Sequence, residues 1–255
     1  MINHLKNNSE MTFFRFAKGY LFTPFMVFAV IIFGLEWTHA DMKMASMLFQ
    51  WQGGVDSWPL RGDWITENLL HVAGRNLVIL LALVVVMGIV LSFRRDVIRP
   101  YRKGLIYLFC SVLASVLLVR IGKSLTHMTC PWDVVEFGGR LMHSSLFARL
   151  PEGAEFGQCF PGGHSSGGFA WVATYYVLKQ YHPRYAKVGL VFGLLLGVVF
   201  GIAQELRGAH FLSHDLWSLT VAWTCASLLY YGFFLRATKV QSVNFVHSVS
   251  MINAK

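Results

Sequence analysis

The chain carries three short polar clusters whose residue types suit phosphoryl chemistry. The last reads Gln204, Glu205, Leu206, Arg207, Gly208, Ala209, His210, Phe211, Leu212, Ser213, His214, Asp215. Arg207 offers a planar fork for phosphate oxygens, and His210 can act as a nucleophile whose ring a neighbouring acceptor would orient. The middle cluster runs from Cys159 through Phe160, Pro161, Gly162 and Gly163 to His164, followed by Ser165, Ser166, Gly167 and Gly168. Pro161 and the two glycines let backbone N–H groups turn toward one point, and the helix start that follows adds positive potential there. A glycine-rich packing turn is the blander reading, but it has no use for His164. The first cluster runs from Lys123 to Cys130, Pro131, Trp132 and Asp133. Lys123 alone reads as an amine snorkelling to an interface; Arg120, three residues earlier on the same helical face, makes two cations available to an anion.

These clusters sit among elements that are apolar throughout. Of 255 residues, 55% are hydrophobic and only 14% charged, too few charges to cover a soluble surface. The net charge of +9 comes from short basic runs between apolar stretches, which orient a chain in a bilayer and give no nucleic-acid-binding face. Apolar stretches at 20–37, 69–93, 105–122, 164–181, 188–206 and 216–235 are long enough to cross ~30 Å of hydrocarbon. The predicted fold is therefore all-α, a polytopic membrane bundle of about six transmembrane helices in one domain, 1–255. Lys6, Arg15 and Lys18, then Arg94, Arg95, Arg99, Arg102 and Lys103, then Lys179, Arg184 and Lys187, and finally Arg236, Lys239 and Lys255 mark one side. By the positive-inside rule both termini are cytoplasmic, and all three clusters face outward. A cleaved signal peptide ending near Ala40 is the competing reading of the first run. That run is span-length and is followed by bulky Trp37 and His39, so it is expected to stay.

Two outward segments, 39–68 and 123–163, exceed what a tight connection needs. In the first, Met44, Leu48, Phe49 and Trp51 recur at near-helical spacing, which predicts an interfacial helix that either caps the bundle or guides a lipid. Cys110 and Cys225 read as packing residues inside spans. Cys130 and Cys159 share one outward segment, an oxidising place if the membrane is a bacterial inner one, and pair there as a disulfide or stay as separate thiols.

Over residues 123–215 the ordered clusters resemble the type 2 phosphatidic acid phosphatases, the PAP2 superfamily. That family's pattern is a Lys, six residues and Arg-Pro; then Pro-Ser-Gly-His; then Ser-Arg, five residues, His, three residues and Asp. Lys123 and Pro131 match the first part, Pro161, Gly163 and His164 the second, and His210 the third. Cys130 stands at the family's Arg, Gly162 at its Ser, Ala203 and Gln204 at Ser-Arg, and His214 at the Asp, with Asp215 one residue on.

The resemblance implies a metal-independent phosphatase, without cofactor, acting on a membrane lipid phosphate or pyrophosphate at the periplasmic face of an inner membrane. In that scheme Lys123, Arg207 and the N–H groups of Gly162 and Gly163 hold the phosphate. His210 attacks phosphorus, His164 protonates the leaving oxygen, and Asp215 or His214 orients His210. Arg207, close to one helical turn beyond Gln204, is expected to supply the guanidinium missing there. Three other readings compete: a zinc site on His210, His214 and His164, a non-catalytic lipid-binding or flipping protein, and a lipid phosphotransferase.

Overall fold

The computed structural model describes residues 13–144 and 157–236. Lys6, Lys239 and Lys255 of the basic runs, and residues 145–156 of the segment 123–163, lie outside the described residues. The described chain folds into seven helical stretches: α1 (Phe13–Thr38), α2 (Ala40–Trp51), α3 (Ile65–Leu91), α4 (Arg99–Leu125), α5 (163–181), α6 (Pro183–Leu206) and α7 (Leu212–Arg236). Among the described residues, β-pairing is limited to one isolated bridge between Val134 and Leu141.

Five of the helices, α1, α3, α4, α6 and α7, are long and apolar enough to cross a membrane. Their outer faces leave Phe14, Val30, Phe33, Leu80, Val84, Leu117 and Leu195 exposed. Apolar surface of that extent calls for lipid as solvent, and the chain is an integral membrane protein. The sixth stretch expected to span is helical but falls outside this group of five, because it opens on His164, Ser165, Ser166, Gly167 and Gly168. Its place in the bundle explains the difference. Helix α5 packs against α4, α6 and α7, with Ser165, Ser166 and the run from Phe169 to Ala173 all buried, so little of it needs to satisfy lipid.

Close approach of α5 and α6 rests on glycines at every fourth position of α6, Gly189, Gly193 and Gly197, while the next in the row, Gly201, faces Asp215 of α7. A Cβ on Gly193 would meet the Trp171–Val172 backbone, and one on Gly168 would lie 2.6 Å from the Gly197 Cα. Small residues at this period let helix backbones meet where lipid supplies no hydrophobic drive. Toward the basic ends of the helices, an aromatic core of Phe16, Tyr107, Trp171, Tyr176, Tyr230 and Phe234 closes the bundle. Its hydroxyls are paired, Tyr107 Oη donating to the Ala226 carbonyl (2.9 Å) and Tyr176 Oη lying 2.7 Å from Ser227 Oγ.

At the opposite end His39, in the left-handed region (φ 52°), turns the chain from α1 into α2. Helix α2 is the one expected from Met44, Leu48, Phe49 and Trp51; Ala45 and Phe49 form its buried face and Trp51 is exposed. Phe49 packs on Trp58 (5.2 Å between ring centroids) and Phe137 (5.4 Å), beside Val134 and Phe211. Asp41 Oδ1 accepts the Ser213 N–H (3.0 Å), satisfying a donor in the first turn of α7 from another helix. This cap fixes the end of the bundle where the polar clusters lie.

Candidate active site

The first two clusters are laced together before either reaches its helix. Past α4, the segment 126–130 lies along 157–161: Cys159 N–H donates to the Met128 carbonyl (3.0 Å) and Thr126 Oγ1 to the Phe160 carbonyl (2.5 Å). Cys130 and Cys159 form a disulfide, their Cα atoms 5.2 Å apart. Gly122 leaves room for the Pro161 ring, since a Cβ there would come within 2.9 Å of Pro161 Cδ. The last turn of α4, which carries Lys123, is thereby fixed against the first turn of α5, which carries Gly163 and His164.

A cavity of about 570 Å³ opens at this junction, lined by Lys123, Gly163, His164 and His210, with Arg120 and His71 also on its wall. His210 sits between α6 and α7, its Nδ1 buried and without a hydrogen-bond partner among the described residues, leaving Nε2 as the nitrogen on the cavity side. Burial, and next the Lys123 ammonium, hold this imidazole well below its usual range, so it is neutral and nucleophilic at ordinary pH. His164 places Nε2 3.3 Å from the Leu70 carbonyl of α3, which leaves Nδ1 for proton exchange. Gly163 lies close enough to Lys123 that a Cβ would sit 3.3 Å from its Nζ. One anion can therefore meet the ammonium, a helix-initiating backbone and two imidazoles together.

Gly162 and Asp215 do a different job. The Gly162 N–H, expected to face phosphate, donates to the His214 carbonyl (3.0 Å), and the Gly162 carbonyl accepts from Ser218 Oγ (2.7 Å). Both backbone groups thus tie the strap before α5 to α7, and Gly162 is not on the cavity wall. The buried Asp215 carboxylate accepts from Ser165 Oγ (2.6 Å) on Oδ1 and makes no hydrogen bond to His210 among the described residues. His214 is fully buried, with neither ring nitrogen hydrogen-bonded among the described residues; its ring lies against Phe160 (5.3 Å), Phe211 (5.4 Å) and His210 (5.8 Å). His210 is placed by packing in this structure, through His214 and the buried turn around it.

Arg207 also stands back from the cavity. Nε donates to the Arg61 carbonyl (3.1 Å), Nη1 to Gln204 Oε1 (3.1 Å) and to His71 Nδ1 (2.6 Å), and Nη2 pairs closely with Glu67. All three nitrogens are engaged, so the guanidinium expected to grip phosphate is held one layer behind the wall. Gln204 and His71 stand between it and the cavity. His210, His214 and His164 do not form a three-ligand cluster either. Among the described residues, the group of three potential ligands close enough for one ion is Cys130, Asp133 and Cys159, whose sulfurs are already bonded to each other.

Residues 104–237 match the sequence profile of the PAP2 superfamily. The chain belongs to this superfamily. In fold it is similar to the first transmembrane PAP2 type phosphatidylglycerolphosphate phosphatase from Bacillus subtilis, at 20% identity and a TM-score of 0.50, over 84% of this chain and 93% of that one. A search of curated proteins gave no match. Against the PAP2 pattern, two departures in this chain have a physical occupant. The disulfide stands in place of the first arginine, and the Asp215 carboxylate, shifted by one residue, fills the space beside Gly162 where a serine side chain would project.

Two residues went unnoticed in the sequence, Glu67 and His71. Both sit at the N-terminal end of α3 in a stretch of π-helix, Ile65–Ala73. A signal was available, since ionisable groups at the head of a span are functional by default.

Proposed function

We propose that this PAP2 protein is a membrane phosphatase that removes phosphate from a lipid phosphate or pyrophosphate through a phosphohistidine. The observation that carries the reading is the convergence of Lys123, Gly163, His164 and the cavity-side Nε2 of His210 on one space. Lys123 and the Gly163 backbone hold the phosphoryl oxygens, with Arg207 adding positive potential from behind. His210 Nε2 attacks phosphorus, forming a P–N bond as the P–O bond to the lipid breaks, and His164 gives its proton to the departing oxygen. Water then attacks the phosphohistidine, His164 takes a proton back, the P–N bond breaks and phosphate leaves. Positively charged loops at the other end of the helices support a site on the periplasmic face of a bacterial inner membrane, with cytoplasmic termini.

Purified protein in detergent is incubated with phosphatidic acid, phosphatidylglycerol phosphate, a polyprenyl pyrophosphate and lipid A, and released phosphate is measured. Release is expected from at least one of these lipids, to be lost in His210→Ala, and to give way to a trapped phosphoenzyme in His164→Ala. Undiminished release by His210→Ala refutes the scheme.

A further inference from the structure

The PAP2 pattern places two arginines near the phosphate, and this chain has Cys130 and Gln204 at those positions. Its Arg207 cannot reach in, because its three nitrogens are engaged by Arg61, Gln204, His71 and Glu67. Two of those partners, Gln204 and His71, line the cavity, and His71 is the one with a titratable ring there. A guanidinium has donors only, so the 2.6 Å contact from Arg207 Nη1 makes His71 Nδ1 the acceptor. Glu67 Oε1, 3.6 Å from the same nitrogen, is too far to compete for it. The single proton of the neutral ring then lies on Nε2, the nitrogen left for the cavity. The ring stands edge to face with His164 at 4.7 Å between centroids, and the preceding residue, Leu70, offers its carbonyl to His164 Nε2. Gly74, one turn on, lets α3 approach this closely, since a Cβ there would meet Phe200 at 2.7 Å and His164 Nε2 at 3.3 Å. The π-helical turn Ile65–Ala73 puts Glu67 and His71 together on that side, and such widened turns recur at functional sites.

From this geometry, and resting on the phosphatase reading above, we propose that His71 is a third catalytic imidazole, locked by Arg207 so that its Nε2–H donates a hydrogen bond to a phosphoryl oxygen of the substrate. It makes and breaks no covalent bond. The positive potential of a guanidinium that has moved back one layer is delivered through a polarised imidazole, which restores a donor that the PAP2 arginines would otherwise supply.

Full-length protein in detergent is tested with orthovanadate, a phosphate analogue that becomes five-coordinate, and with dioleoyl phosphatidic acid as substrate. In His71→Ala, vanadate is expected to lose its stabilising shift of the thermal midpoint, and kcat to fall by about 10²- to 10³-fold, the range for removing one preorganised donor, with KM within a few-fold of wild type. His71→Gln is the rescue variant: its amide oxygen can accept from Arg207 while its N–H₂ donates to the cavity, so vanadate stabilisation and most of kcat should return. A purely structural role would lower the midpoint without separating Ala from Gln in kcat.

Wild-type vanadate stabilisation and turnover in His71→Ala, or a folded His71→Gln as impaired as Ala, overturns the inference. If His210→Ala turns over like wild type, or if vanadate leaves wild type unshifted, the phosphatase reading itself falls and takes the inference with it. If His210→Ala is inactive while His71→Ala is not impaired, only the inference falls.

Discussion

Gly162→Ala is the smallest change that tests how the strap before α5 is built. The backbone at Gly162 (φ −62°, ψ 108°) suits any residue, so the substitution carries no conformational penalty and its cost is purely one of space. The new Cβ would press into Asp215 Oδ1 and lie 2.5 Å from Ser165 Oγ, and both side chains are buried. Neither can swing to solvent. Overpacking of this kind costs about 1–3 kcal/mol. If Asp215 yields, its 2.6 Å hydrogen bond from Ser165 is lost inside the bundle, worth roughly another 1–3 kcal/mol. A total of about 2–6 kcal/mol corresponds to a fall in thermal midpoint of roughly 4–24 °C for a chain of this size. Gly167→Ala is the internal control, because a Cβ there meets only Val78 methyl groups at 3.7 and 3.8 Å, ordinary contact in the same helix. The assay is thermal unfolding in detergent, read beside phosphate release at a temperature where both variants stay folded. Combining Gly162→Ala with Asp215→Ala should cost less than the sum of the two, since they compete for one volume. A Gly162→Ala protein as stable as wild type, or equal damage from both glycine substitutions, refutes this account of the strap.

Replacing Cys130 and Cys159 by serine opens a loop of sequence separation 29, a loss of about 3–4 kcal/mol on the chain-entropy account. The midpoint should fall, and the variant should lose the sensitivity to dithiothreitol that wild type shows; equal midpoints with and without reductant in wild type contradict this. Acid should also weaken the fold through His210. Its native-state value is depressed by burial, with Lys123 next, so below the ordinary 6.5 the unfolded chain binds a proton that the native ring refuses. Stability is then lost as pH falls below about 6.5, and His210→Ala should show a smaller drop in midpoint between pH 7.5 and pH 5. An identical drop in both proteins would discount the buried neutral ring.

Much of this was legible because membrane helices advertise themselves by apolar length, and because Lys123, His164 and His210 keep the spacing of a known pattern. Helix α2 was legible too, from Phe49 and its neighbours at helical period. What the sequence left hidden are pairings between distant residues. Arg207 meets Glu67 and His71, separated from it by 140 and 136 positions, and no local periodicity announces that. The Gly162 N–H looked available for an anion because its neighbours are small. Only the fold brings the His214 carbonyl to it and the Asp215 carboxylate to its empty side. The surroundings of α5 were hidden too, since hydropathy measures fitness for lipid and this helix is solvated by other helices.

The burial of α5 bears on how the chain enters its membrane. A segment that begins His164-Ser165-Ser166-Gly167-Gly168 gains little from hydrocarbon, and is expected to leave the translocation machinery by itself less readily than the more apolar helices. Helix α6, strongly apolar and separated from α5 by His182 alone, would supply the partitioning energy, and Gly189, Gly193 and Gly197 form the surface on which α5 docks. The two are therefore expected to insert as one hairpin. The glycine row that sets helix spacing in the finished protein is thus expected to serve biogenesis too, as the means by which a polar helix is carried into the bilayer.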